Sequence, residues 1–140
     1  MMTQTHFVLD ARLSADTIFV VDWPVSRVLL MNDARYPWLI LVPRRDGLSE
    51  IHDMRAADQA QLIAEIARAG RVLKTEFRAR KINVGALGNI VPQLHVHIVA
   101  RFETDPAWPG PVWGHGAQEP YGADEAKRRL AALNAAFAIS

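Results

Sequence analysis

Two histidines, His95 and His97, stand two residues apart in the run from Pro92 to Arg101, which alternates polar and apolar side chains from Gln93 to His97 before the apolar stretch Ile98 to Ala100. In an extended strand alternate side chains share a face. Gln93, His95, His97, Val99 and Arg101 are therefore expected on one side, and Leu94, Val96, Ile98 and Ala100 on the core side. Alternate positions on a strand are about 6.5–7 Å apart, so both imidazoles can address one phosphate. A neutral imidazole is a nucleophile near neutral pH, and its cation donates hydrogen bonds to phosphate oxygen. The chemistry this pair supports is phosphoryl or nucleotidyl transfer. One ring must present an unprotonated nitrogen while an acceptor holds its other nitrogen, and the second ring is free to be protonated and stabilise charge. The pattern leaves open which ring holds which proton. It also suits a two-ligand zinc pair, with His52 or His115 supplying a third ligand.

Such residues need rigid elements to hold them. Residues 17–23, rich in β-branched and aromatic types, and residues 26–31 read as strands separated by Pro24. Residues 7–9 read as a short edge strand, and residues 14–16 as a brief helical turn. Asn32, Asp33, Ala34 and Arg35 are turn formers. The apolar run at 38–42, closed by Pro43, has the length of a buried strand. A helix is expected from about Asp53 to Arg78, with Leu62, Ile63, Ile66, Ala69, Val72, Leu73 and Phe77 on its apolar stripe. Its solvated face carries Gln61, Glu65, Arg68, Arg71, Lys74 and Arg78. Residues 82–86 and 94–101 complete the strands. Gly85 to Asn89 form a flexible turn; by residue type alone Asn83 and Asn89 are plain strand-end and turn residues. Residues 102–120 read as an ordered loop anchored by Trp108 and Trp113, and residues 124–138 as a terminal helix. The fold class is α+β, a single domain over residues 1–140 with one antiparallel sheet carrying a long helix.

Composition narrows the function. The formal charge is +1, without the basic excess of a protein that binds nucleic acid by counterion release. Cysteine is absent, which removes disulfides, thiolate zinc sites and thiol nucleophiles. Residues 1–10 lack the pattern of a secretory leader, and no run of about 18 apolar residues occurs. A soluble cytoplasmic protein is expected, with no membrane partner.

The run Gln93-x-His95-x-His97 followed by apolar residues resembles the signature of the histidine triad family, with Gln93 in the place of the first histidine. The similarity extends to the strand at 38–43 with the basic pair Arg44 and Arg45 behind it, where Trp38 replaces a family histidine, and to residues 51–54 before the long helix. The resemblance covers about residues 25–101. It implies a five-stranded sheet that joins a second copy in a ten-stranded layer, hence a homodimer. It also implies cleavage of a nucleoside phosphoanhydride or phosphoramidate, for example a dinucleoside polyphosphate, through a nucleotidyl-histidine intermediate, without a required cofactor or metal. By the same resemblance His95 is the nucleophile, His97 a phosphate ligand, and Gln93 a catalytic-site residue that keeps the hydrogen bonding of the missing histidine. Asn83 and Asn89 become phosphate-side contacts, and Asp33 a ligand of the ribose hydroxyls. Two other readings stand beside this one: a non-catalytic nucleotide-binding or sensor module, which Gln93 favours, and a metal-binding protein using His95 and His97.

Overall fold

The computed structural model describes residues 6–140; the sequence reading of residues 1–5 lies outside them. Five strands form one antiparallel sheet in the order β1-β2-β3-β5-β4. They are β1 (Thr17–Asp22), β2 (Ser26–Met31), β3 (Trp38–Pro43), β4 (Lys81–Gly85) and β5 (Val96–Arg101). A short helix, α1 (Ala11–Asp16), precedes β1; α2 (Ala56–Phe77) joins β3 to β4 across the sheet; α3 (Ala123–Ala138) ends the chain. The expected α+β architecture is therefore present. Residues 7–9 form no strand, and β5 begins at Val96, with His95 immediately before it.

Pleating divides the sheet into two apolar faces. Val28, Leu30, Leu39, Leu41, Val96, Ile98 and Ala100 pack under α2 and α3 against Leu62, Ala69, Leu73, Leu133 and Phe137. Burying each large aliphatic side chain contributes about 1.5–3 kcal/mol. The opposite face, with Leu29, Trp38, Ile40, Val42 and Val99, is covered by Leu13 and Tyr36 and by Ala107 and Val112 of the loop after β5. β3 and β5 are thus buried on both faces. That double cover explains why neither strand shows clean polar alternation. At the sheet's ends, β1 and β4 each keep one edge unpaired among the described residues. A sheet continued across a twofold axis would have to start from one of these two edges.

Two expectations for α2 are corrected. Ile63 is 62% exposed, whereas Glu65, expected on the solvated face, is buried. Residue 65 lies three after Leu62 and four before Ala69, so helical pitch puts it on the core stripe. At the turn after Pro24 the Glu65 carboxylate accepts from two backbone N–H groups, Val25 N at 3.0 Å and Ser26 N, the first of β2, at 2.9 Å. A buried carboxylate thereby ties α2 to the β1–β2 turn. The helix ends at Arg78, which takes the left-handed conformation with φ 55°.

Candidate active site

His95 and His97 leave the same face of the sheet, where strand alternation requires them, with ring centroids 4.9 Å apart at an interplanar angle of 66°. Both are buried. Their hydrogen bonds determine the two tautomers. His95 Nδ1 is 2.7 Å from the Gln93 carbonyl oxygen. A carbonyl only accepts, so Nδ1 carries the proton and Nε2 presents a lone pair. His97 has the opposite arrangement. The Trp38 indole N–H donates to His97 Nδ1 at 3.1 Å. An indole only donates, so in the neutral ring the proton sits on Nε2. In their neutral forms one ring thus presents a free Nε2 lone pair and its neighbour an Nε2–H.

Burial, with a smaller contribution from the adjacent His95, pushes the His97 imidazole down to about 4. The sequence left the second ring free to be protonated; with its pKa lowered, the His97 ring is neutral near pH 7. The depressed value also has a consequence for stability. Between about pH 6.5 and 4 the unfolded chain binds a proton that the native ring refuses, so stability present above pH 6.5 is lost as pH falls toward 4. The expected loss from this group is on the order of 3 kcal/mol. Urea unfolding at pH 7 and pH 4.5 measures it, and His97→Asn should flatten that part of the slope. An equal slope in the variant would contradict the burial argument.

Trp38 was absent from the sequence-derived site residues. It pairs with Val99, two positions along β5 from His97, while His97 itself faces Ile40. An indole at 38 therefore reaches the imidazole diagonally across the ladder. A second tryptophan, Trp113, stacks edge-on to His97 at 5.6 Å and 75°. Gly85, opposite His97 on β4, makes room for it: a Cβ there would lie 3.1 Å from the Trp113 ring. Gly85, shared in the sequence reading by the strand at 82–86 and the turn after it, is the last residue of β4.

These rings form the floor of a cavity of about 530 Å³, a volume typical of small-molecule sites. Leu13, Met31, Ile40 and Val112 give it an apolar wall; Arg12, Asp33, Arg35 and Asn89 bring polar groups. A smaller cavity of about 180 Å³ shares Leu87, Gly88 and His95 with it and reaches His52. Among the described residues no three of His, Cys, Asp and Glu come together as a metal-ligating group.

The other sequence-derived residues separate. Asn89 lines the cavity. Asp33 lines it too, but both its carboxylate oxygens accept from the Arg35 guanidinium, at 3.0 and 2.9 Å. Burial pushes the Asp33 carboxyl up, and the hydrogen bonds from Arg35 more than offset this and hold it below the ordinary carboxylate value. Arg35 in turn donates to the His115 carbonyl at 2.7 Å, fastening the loop over the cavity. Asn83 is not among the residues that line the cavity. Its Oδ1 accepts from Arg101 at 2.8 Å, because the buried guanidinium needs that acceptor. Gln93 also differs from expectation. Its carbonyl holds His95, whereas its side-chain amide bonds the backbone of Val8 and Asp10.

Arg101 braces the far end of β5. It forms a two-point ion pair with Asp105, at 2.8 and 3.1 Å, and donates to the Gly110 carbonyl at 2.7 Å. Those bonds fix the loop that carries Val112 and Trp113 to the cavity.

The family model described as HIT domain matches residues 12–104. A protein named AP-4-A phosphorylase from Mycobacterium tuberculosis is 36% identical over 80 residues, half of this chain and 40% of that relative's length. Among solved structures, a histidine triad protein from Bradyrhizobium japonicum is 48% identical with a TM-score of 0.91, covering 94% of this chain and 98% of its own. A histidine triad protein from Marinobacter aquaeolei VT8 is 42% identical with a TM-score of 0.92, covering 94% and 96%.

Proposed function

The chain belongs to the HIT domain family, and from that premise we propose that it is a nucleotide hydrolase or transferase that works through a covalent nucleotidyl-histidine. The observation that carries the proposal is the complementary pair of tautomers on one cavity floor, His95 with a free Nε2 lone pair and His97 with a neutral N–H. In the first step His95 Nε2 attacks the phosphorus of a nucleotide phosphoanhydride. A P–N bond forms, the P–O bond to the outer phosphate breaks, and that phosphate leaves as its anion. The His95 ring becomes cationic, and the Gln93 carbonyl dipole at Nδ1 stabilises that charge. The His97 N–H is suited to a non-bridging oxygen whose charge grows in the transition state. Water, or inorganic phosphate as acceptor, then attacks the phosphorus, the P–N bond breaks and His95 returns to neutral.

The name of the M. tuberculosis relative supports a dinucleoside polyphosphate as substrate. A binding-only module is less well supported, because the feature that suggested it, glutamine at 93, contacts His95 through its main-chain carbonyl, which any residue there would supply. The test is turnover of diadenosine polyphosphates and adenosine phosphoramidate, with chelator present, with and without phosphate. AMP is expected without phosphate, and ADP in addition if phosphate serves as acceptor. No nucleotide product from either substrate class, or product formation abolished by the chelator, would overturn the proposal.

A further inference from the structure

The geometry assigns to the Gln93 side chain a second task, resting on the reading above: it clamps the segment before α1 and so holds one wall of the nucleotide cavity in place. Its Nε2 donates to the Val8 carbonyl at 2.9 Å, and its Oε1 accepts from the Asp10 N–H at 2.8 Å. These two backbone groups flank Leu9 and point the same way, as they do when one residue of a parallel strand engages its neighbour. The primary amide thus stands in for a peptide unit. Leu9 and Phe7 pack against the second apolar face of the sheet.

From Asp10 the restraint passes into the cavity. The Asp10 carboxylate caps α1, accepting from Arg12 N at 2.8 Å, and its carbonyl accepts from Ser14 N at 2.9 Å. Arg12, Leu13 and Asp16 of that helix line the cavity holding His95 and His97. A six-residue helix has little stability of its own, so its position depends on the bonds and packing at its start. Arg12 also brings a cationic side chain to the lining, where the guanidinium of Arg35 is already committed to Asp33. Gln93 is therefore a positioning residue for substrate binding, acting through α1 and not through the nucleophile.

The side-chain requirement is strict. A primary amide presents a donor and an acceptor side by side, whereas the two nitrogens of an imidazole point to different sides of the ring. Histidine at 93 can make one of the two bonds and not both. Restoring a third histidine is thus expected to weaken this protein.

Gln93→Ala and Gln93→His test the clamp in two independent ways. Without substrate, amide hydrogen exchange at Asp10 should accelerate at least about tenfold in both variants, and the affinity for AMP should fall by about tenfold through lost preorganisation. In turnover the loss should appear mainly in KM, since the main-chain bond to His95 Nδ1 survives. Native exchange at Asp10 in Gln93→Ala would overturn the clamp. Faster exchange with unchanged AMP affinity would break its link to the cavity. A loss confined to kcat would put the side chain on the nucleophile instead. Exchange and AMP binding do not depend on catalysis, so they read the clamp even if the proposed reaction fails.

Discussion

His95→Ala is expected to lower kcat/KM at least about 10³-fold, roughly 4 kcal/mol of transition-state stabilisation, with the fold retained. The size of the effect follows from the lack of a substitute nucleophile. Among the described residues, His97 is the only other imidazole in the lining of the larger cavity, and it cannot take over. Its Nδ1 is occupied by the Trp38 indole N–H, and its Nε2 carries the proton. Removing the His95 side chain breaks one local hydrogen bond, to the carbonyl two residues before it. The packed faces under α2 and α3 are untouched. Steady-state product release alongside a thermal melt separates the two contributions. A variant within about tenfold of the parent, with an unchanged melt, would mean that another group attacks phosphorus.

The largest effect on stability is expected at the opposite end of β5. Arg101→Met replaces the guanidinium by an apolar side chain and should cost about 3–5 kcal/mol, as removing one member of a buried ion pair does. The Asp105 carboxylate is then left buried without its cation. In the parent, burial pushes the Asp105 carboxyl up, while Arg101 and the N–H groups of Phe102 and Trp108 outweigh that and hold it below the ordinary value. Those N–H bonds remain in the variant and keep the cost from rising further. The Asn83 amide oxygen and the Gly110 carbonyl also lose their donor. Urea unfolding at pH 7 measures the loss. Combining Arg101→Met with Asp105→Leu should recover part of it, because the second change removes the stranded charge. A single variant within about 1 kcal/mol of the parent would show that the ion pair does not brace the loop.

The sheet was legible because its causes are local. Alternation places His95 and His97 on one face, and the five apolar residues before Pro43 mark a strand covered on both sides. The same rule failed at Glu65, where polarity suggested solvent although the helical position pointed to the core; the reason lies about 40 residues away in two backbone N–H groups that bond its carboxylate. Gln93 shows the limit more sharply. Its place beside the histidines suggested an active-site amide, but the partners that capture the side chain are 83 and 85 residues distant. Asn83 was misplaced for a related reason, since nothing near it indicates that a buried arginine on the neighbouring strand requires its oxygen. Trp38 was visible as a departure from the family pattern, yet its bond to His97 depends on the β3–β5 register, which only the folded sheet supplies.

The central claim is that His95 Nε2 becomes bonded to phosphorus during turnover. The protein should be mixed with a diadenosine polyphosphate, quenched within the first turnover at neutral to alkaline pH to spare the P–N bond, digested, and mapped by mass spectrometry. The account predicts an adenylyl group on the peptide containing His95, assigned to that residue and absent from His95→Ala. Product release with no adduct at any quench time, or an adduct on His97 that persists in His95→Ala, would contradict it.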